Sequence, residues 1–131
     1  MNSVEIDELN QTFSQASPEE VMQYVVKKFG KKLTLASSLG LEDQVLTHMF
    51  STVTDAVDVF VLDTGRLHQE TYNVIEKTMV QYAFNYRVMF PKKEDVEQMV
   101  ETHGPNHFYQ SVENRKECCH VRKVEPLSRA L

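Results

Sequence analysis

The chain has 131 residues, 41% of them hydrophobic and 25% charged, the usage of one folded domain and not of a disordered segment. A net charge of −5 argues against general affinity for nucleic acid, which clustered Lys and Arg would supply. No apolar run approaches the roughly 18–20 residues of a membrane span, and the acidic first 13 residues lack a secretory leader's basic and apolar stretches; a cytoplasmic protein with no membrane partner is expected.

In chain order, residues 4–14 form a short polar helix candidate. Ser17-Pro18-Glu19-Glu20 then supplies an N-cap, a first-turn proline and a capping-box glutamate, so a second helix starts there. Val21, Tyr24, Val25, Lys28 and Phe29 repeat at helical spacing, and Gly30 closes the helix. Leu33–Ala36 reads as a short buried strand, and Val45, Leu46, Met49 and Phe50 as the apolar stripe of the next helix. Val57–Leu62 is a second strand, followed by a helix carrying Tyr72, Ile75, Met79 and Tyr82. Tyr86–Phe90 is a third strand stopped by Pro91, and Val96, Met99 and Val100 belong to the helix after it. Strand and helix alternate, which predicts an α/β fold with a parallel sheet covered by helices.

Gly104-Pro105-Asn106 is the one strong break. The expected organisation is a single domain over 1–131: N-terminal helices to residue 30, an alternating core over 31–103, and a basic segment over 104–131. Beyond the break lie Arg115, Lys116, Arg122, Lys123 and Arg129, a place for a small anion. Pro126 is expected to begin a helix, and a chain ending one turn into it reads as a truncated product.

Three segments carry candidate chemistry. Ser37-Ser38-Leu39-Gly40-Leu41-Glu42-Asp43 stands at a strand's carboxyl end and a helix start, where backbone N–H groups can approach a phosphate; an ordinary turn capped by Ser is the plain alternative. In Asp63-Thr64-Gly65-Arg66, Asp63 and Thr64 can bond loop backbone or a ribose hydroxyl, Gly65 permits a tight turn and Arg66 can face an anion; the alternative is a turn with Arg66 and His68 in solvent. Cys118-Cys119, flanked by Arg115, Lys116, Arg122 and Lys123, suits metal ligation or nucleophilic chemistry. The pair also reads as two small cysteines buried in a helix, or as a zinc site with His120 as third ligand. Adjacent cysteines in a reducing compartment are poor candidates for a disulfide.

Taken together, Ser-Ser-Leu-Gly-Leu-Glu-Asp, Leu-Asp-Thr-Gly-Arg-Leu-His-x-Glu-Thr-Tyr and Arg-Lys-x-Cys-Cys-x-x-Arg-Lys-Val-Glu-Pro-Leu resemble the sulfonucleotide reductases over roughly residues 30–131. The resemblance implies a Rossmann-like, adenine nucleotide alpha-hydrolase-like fold that is C-terminally truncated. The cysteine pair resembles the branch that carries a 4Fe-4S cluster and takes adenosine 5′-phosphosulfate, with Cys118 and Cys119 as two of four cluster ligands. It implies substrate-binding roles for Ser37, Ser38, Gly40, Asp63, Thr64, Gly65, Arg66, Arg122 and Lys123. Leu39 and Leu41 depart from some relatives, which carry Ser and Ala there.

The implied activity is assimilatory: thioredoxin, or a similar dithiol, reduces adenosine 5′-phosphosulfate to sulfite and AMP through an S-sulfocysteine, with no flavin or nicotinamide. The remaining ligands and the catalytic cysteine are expected beyond Leu131, so this chain alone is expected to be inactive. Alternatives are reduction of the 3′-phosphorylated substrate, a non-catalytic nucleotide-binding domain, and an ATP-pyrophosphatase-like adenylating enzyme, whose Ser-Gly-Gly-x-Asp-Ser loop the first segment lacks. A homo-oligomer is left open.

Overall fold

Two capping boxes start the chain's helices. In the computed structural model, which describes residues 2–54 and 56–131, helix α1 spans Ser3–Thr12 and α2 spans Pro18–Phe29. Asn2 and Glu5 exchange hydrogen bonds of 2.9 Å at the first, and Ser17 and Glu20 close the second at 2.7 and 3.3 Å. Each such cap stabilises its helix by about 1 kcal/mol. Gly30, at φ 50°, ends α2 and leads through a 3-10 turn, Gly30–Lys32, into the sheet.

The remaining elements are β1 (Thr34–Ser37), α3 (Leu41–Val53), β2 (Asp58–Leu62), α4 (Gln69–Gln81), β3 (Asn85–Met89), α5 (Lys93–His103), α6 (Val112–Cys119) and α7 (Glu125–Ala130). The strands pair in parallel in the order β1-β2-β3, with Leu35 opposite Val59 and Val59 opposite Tyr86. The alternating α/β pattern and all three strands are as the sequence predicts, to within a residue at the strand ends. No helix of the described residues is long and apolar enough to cross a membrane.

One sheet face carries the core. Met22, Phe50, Val57 and Val59 are buried there, with Leu35 and Tyr86 against them. Full burial of such an aliphatic or aromatic side chain contributes about 1.5–3 kcal/mol. The helix stripes match the expected ones in part: Val25 of α2 and Leu46, Met49 and Phe50 of α3 pack in the core, and Ile75 of α4 is buried, but other positions differ. In α3 the buried residues are Thr47 and Phe50, while Val45 is 57% exposed; in α4 they are Ile75 and Thr78, while Met79 is 48% exposed and Tyr82 lies past the helix end. In α2 the buried residue is Met22, which the expected stripe omits.

Each buried threonine returns its hydroxyl to the carbonyl four residues back, Thr47 to Asp43 at 2.7 Å and Thr78 to Val74 at 2.8 Å. Once the hydroxyl is satisfied within the helix, the methyl group packs as an apolar one, which hydropathy does not register. The Thr78 hydroxyl proton is shared with Gln44 Oε1 at 3.2 Å, setting α4 beside α3.

The second face carries Phe60 and Arg87, with the guanidinium 5.7 Å from the ring centroid and donating to the Ala130 carbonyl of α7 at 3.3 Å. Arg87 also pairs with Asp58. Ala36 of β1, on the same face, remains exposed and opens the floor of a cavity.

Pro126 stands in the first turn of α7 as expected, but no break precedes that helix. The rod continues from α6 through a π turn, His120–Val124, into α7. Glu125 N–H bonds the His120 carbonyl across the wide turn. Pro126 has no N–H to give and its ring would crowd the carbonyl of an uninterrupted α-helix; widening the preceding turn lets the rod pass it.

Candidate functional site

The site gathers at the carboxyl ends of the strands, where an open α/β sheet leaves a crevice. Its first wall is the β1–α3 turn. Ser37 is buried and its Oγ accepts from Leu39 N–H at 3.1 Å; Ser38 donates from N–H and Oγ to Asp43 Oδ2 at 2.5 and 2.6 Å. Gly40 N–H donates to Ser38 Oγ at 3.3 Å. Leu39 sits at φ 66°, the described non-glycine residue in the left-handed region, a conformation that costs roughly 1–2 kcal/mol. The expected serine cap of α3 is absent: Gly40 occupies the N-cap with no side-chain hydrogen bond, and Ser38 is held by Asp43 instead. The first-turn N–H groups therefore remain uncapped beside the cavity.

The second wall is the loop after β2. Asp63 is 1% exposed, its N–H bonds the Met89 carbonyl at 2.9 Å, and its Oδ1 accepts from Gly65 N–H at 2.7 Å and from Tyr72 Oη at 3.1 Å. Asp63 thus folds the loop from within. The hydrogen bond to Asp63 raises the Tyr72 hydroxyl above its ordinary pKa, with burial and the carboxylate charge adding to it. Gly65 lies at φ 71°, and a Cβ there would stand 3.4 Å from Arg122 Nη1. Arg66 is held by protein: Nη1 donates to the Pro105 carbonyl at 2.9 Å and Nη2 to Asn106 Oδ1 at 3.1 Å, with the guanidinium 4.8 Å from the Phe108 ring centroid.

The third wall is the end of α6. Cys118 is half-buried and Cys119 exposed, both free thiols, so the reading as buried packing cysteines fails. The helical turn that follows brings Arg122 inward: it is 9% exposed, Nη1 donates to the Thr64 carbonyl at 2.6 Å, and its buried Nε has no partner among the described residues. Lys123 points to the same side and makes no salt bridge or hydrogen bond among the described residues. His120 does not join the cysteines. It lines a separate cavity with His103 and Glu117, and among the described residues no three His, Cys, Asp or Glu side chains converge to hold a metal, so the zinc reading with His120 as third ligand lacks its geometry.

Two cavities result. One, of about 530 Å³, lies over Ala36, Phe60 and Leu62 and is bounded by Ser37, Ser38 and Leu127. The other, of about 370 Å³, is lined by Phe108, Arg115, Cys118, Cys119 and Arg122. Thr64, Arg66 and Lys123 line both, so an anion at this junction would face cations from two elements. Of the expected site residues, Ser37, Ser38, Thr64, Arg66, Arg122, Lys123 and both cysteines line a cavity; Gly40, Asp63 and Gly65 shape the loops behind. Asp43 and Phe108 are among the wall residues that sequence reasoning did not assign to the site: Asp43 reads locally as a helix-dipole residue, and Phe108 carries no motif signal.

The geometry can be set beside known proteins. Residues 32–131 match the family described as the phosphoadenosine phosphosulfate reductase domain. The chain is 46% identical over 100 residues to adenosine 5′-phosphosulfate reductase of Burkholderia cepacia, covering 76% of this chain and 40% of that protein. It is 37% identical over 127 residues to the chloroplastic 5′-adenylylsulfate reductase 3 of Arabidopsis thaliana, covering 97% of this chain and 27% of that protein. The crystal structure of phosphoadenylyl-sulfate reductase from Candida auris, a phosphate complex, superposes with a TM-score of 0.83 at 30% identity, covering 99% of this chain and 62% of that one. The chain thus spans 40% or less of the length of these curated relatives. With the parallel sheet, the crevice at its strand ends and a match running from β1 through α7, the chain belongs to the phosphoadenosine phosphosulfate reductase domain family.

Proposed function

We propose that the chain serves assimilatory reduction of adenosine 5′-phosphosulfate to sulfite and AMP in the cytoplasm, with thioredoxin or a similar dithiol as reductant. The observation that carries this reading is the junction of the two cavities: a sheet-end crevice for a nucleoside opens, at Thr64, Arg66 and Lys123, onto a chamber lined by two free thiols.

The nucleoside would lie over Ala36 and Phe60, and the phosphosulfate would lie toward Lys123 and the uncapped start of α3. Lys123, without a protein partner among the described residues, offsets the ligand's charge and the charge that AMP gains on leaving. A cysteine thiolate attacks the sulfonate sulfur; the new S–S bond forms as the sulfur–oxygen bond to AMP breaks, giving an S-sulfocysteine. A dithiol thiolate then attacks the cysteine sulfur and sulfite leaves with the bonding pair; the second thiol attacks the resulting mixed disulfide, closing the dithiol to its disulfide as the cysteine thiolate leaves. The nucleophile and two further cluster ligands are assigned to cysteines other than the two in this chain.

Cys118 and Cys119 fit half of a four-thiolate set: both thiols are free, accessible and beside Arg115, Arg122 and Lys123. When bound, a 4Fe-4S cluster would supply local charge and order and not the reducing electrons. The reductases of Burkholderia and Arabidopsis named for the 5′-phosphosulfate favour that substrate; the resemblance to the Candida protein keeps the 3′-phosphorylated one as the second reading. By itself the chain is expected to bind nucleotide without turnover.

Calorimetric titration of the chain with adenosine 5′-phosphosulfate, its 3′-phosphorylated relative and AMP tests the assignment. Binding with preference for the unphosphorylated ribose is expected. A tenfold preference for the 3′-phosphorylated ligand would reverse the substrate, and binding of none would remove the nucleotide site.

A further inference from the structure

Two arginines cross between the 63–66 loop and the cysteine-bearing segment in opposite directions. Arg122, from the π turn, donates to the Thr64 backbone. Arg66, from the loop, donates to the Pro105 backbone and to Asn106, and stacks on Phe108. The residues that Arg66 grips lead directly into α6: the His107 carbonyl accepts from Asn114 Nδ2 at 3.1 Å, and Ser111 Oγ accepts from Asn114 N–H at 3.1 Å. Each arginine therefore bonds the other's element, and Phe108 forms part of the wall over Cys118 and Cys119.

We propose that Arg66 is a positioning residue, a clasp that holds the 105–109 segment and hence the cysteine pair against the nucleotide loop, and not the anion contact its place in the sequence suggests. Three contacts fix its guanidinium on the protein side, whereas Lys123 shares the same two cavity walls and has no such tie. The order of the loop and the accessibility of the thiols are coupled through it. The identity of the ligand in the neighbouring cavity rests on the reading above; the clasp itself does not.

The test is the rate at which iodoacetamide alkylates Cys118 and Cys119 in the chain, with hydrogen exchange over residues 105–119 as the second measurement. Loosening the wall opens the thiols to the reagent, so a lost clasp is read as faster alkylation. Arg66→Ala is expected to speed alkylation by about threefold or more and to raise exchange over 105–119, with exchange over α2 unchanged. Arg66→Lys is expected to behave like Arg66→Ala, because an ammonium provides neither the planar fork nor the stacked face. Phe108→Leu, which leaves both arginines in place, is expected to speed alkylation about twofold, and the Arg66→Ala/Phe108→Leu double variant to fall short of the product of the two effects.

Slower alkylation in Arg66→Ala, restored by Arg66→Lys, would overturn the clasp and return Arg66 to a purely electrostatic role. Unchanged rates in Arg66→Ala and Phe108→Leu would also overturn it. AMP titrated into the wild-type chain separates the two readings: no AMP binding together with the expected alkylation pattern would refute the nucleotide assignment alone.

Discussion

Arg122 is bonded to Thr64 across 58 positions of chain, Nη1 to carbonyl at 2.6 Å, from a side chain only 9% exposed. A buried guanidinium is tolerated where its donors meet fixed acceptors, and here the acceptor is backbone of the loop that Asp63 folds. The contact joins the helical rod to the sheet-end loop and so decides where the cavity lies.

Arg122→Ala should accordingly destabilise the chain by about 2–4 kcal/mol, since it removes a charge-assisted bond and leaves the Thr64 carbonyl unpaired beside a void. Thermal denaturation followed by circular dichroism reads this as a fall in Tm of roughly 6–20 °C. A fall under 2 °C would show the contact to be incidental.

The two left-handed positions should respond with opposite signs. Gly65→Ala places a Cβ at φ 71° against Arg122 and is expected to cost about 1–2 kcal/mol. Leu39→Gly relieves the strain at φ 66° and, after the added chain entropy of glycine, is expected to leave stability unchanged or to raise it by up to about 1 kcal/mol. Urea unfolding midpoints at constant slope distinguish the two; a loss of more than 1 kcal/mol in Leu39→Gly would mean that its side chain packs more than its backbone strains.

The buried threonines give a packing test. Among the described residues Thr47 bonds only its own helix, so Thr47→Val is expected to lie within about 0.5 kcal/mol of wild type, whereas Thr78→Val loses the bond to Gln44 and is expected to cost about 1 kcal/mol. Equal losses by equilibrium unfolding would refute the distinction.

Two titrations bound the stability profile. Lys92 hydrogen-bonds Glu125 and lowers its pKa below the ordinary 4.5, with Arg129 adding to it against the opposing effect of burial. That contribution is present above the unfolded value and is lost as pH falls through the folded one, so Glu125→Gln should flatten the acid limb of a Tm profile. Tyr72 has the opposite sign: its raised hydroxyl pKa stabilises below 10.0 and is lost as pH rises through the folded value. Tyr72→Phe should therefore remove part of the alkaline limb and leave the acid limb alone; matching profiles for variants and wild type would refute both couplings.

The sequence by itself determined whatever short-range chemistry decides. Ser17-Pro18-Glu19-Glu20 and Gly30 bound α2 because caps and left-handed termini act within one turn. The three strands were legible because runs such as Val57–Leu62, bounded by turn residues, are short and apolar. Both sheet-end loops and the cysteine pair stand out as motifs, so the place of the candidate site is legible in the sequence and its shape is not. Tertiary packing set the edges of the inward faces of α3 and α4, where Thr47 and Thr78 turn in while Val45 and Met79 turn out, because each threonine satisfies its hydroxyl inside the helix and packs like an apolar residue. It also decided the partners of the charges: Asp43 reaches back to Ser38, Arg122 folds inward to Thr64, and Arg66 grips Pro105 and Asn106. Those bonds span five to 58 positions, and a charged side chain carries no local mark of the carbonyl it will meet. That is why Lys123 and Arg66 look alike in the sequence, whereas in the fold one has no protein partner among the described residues and the other is held by three contacts.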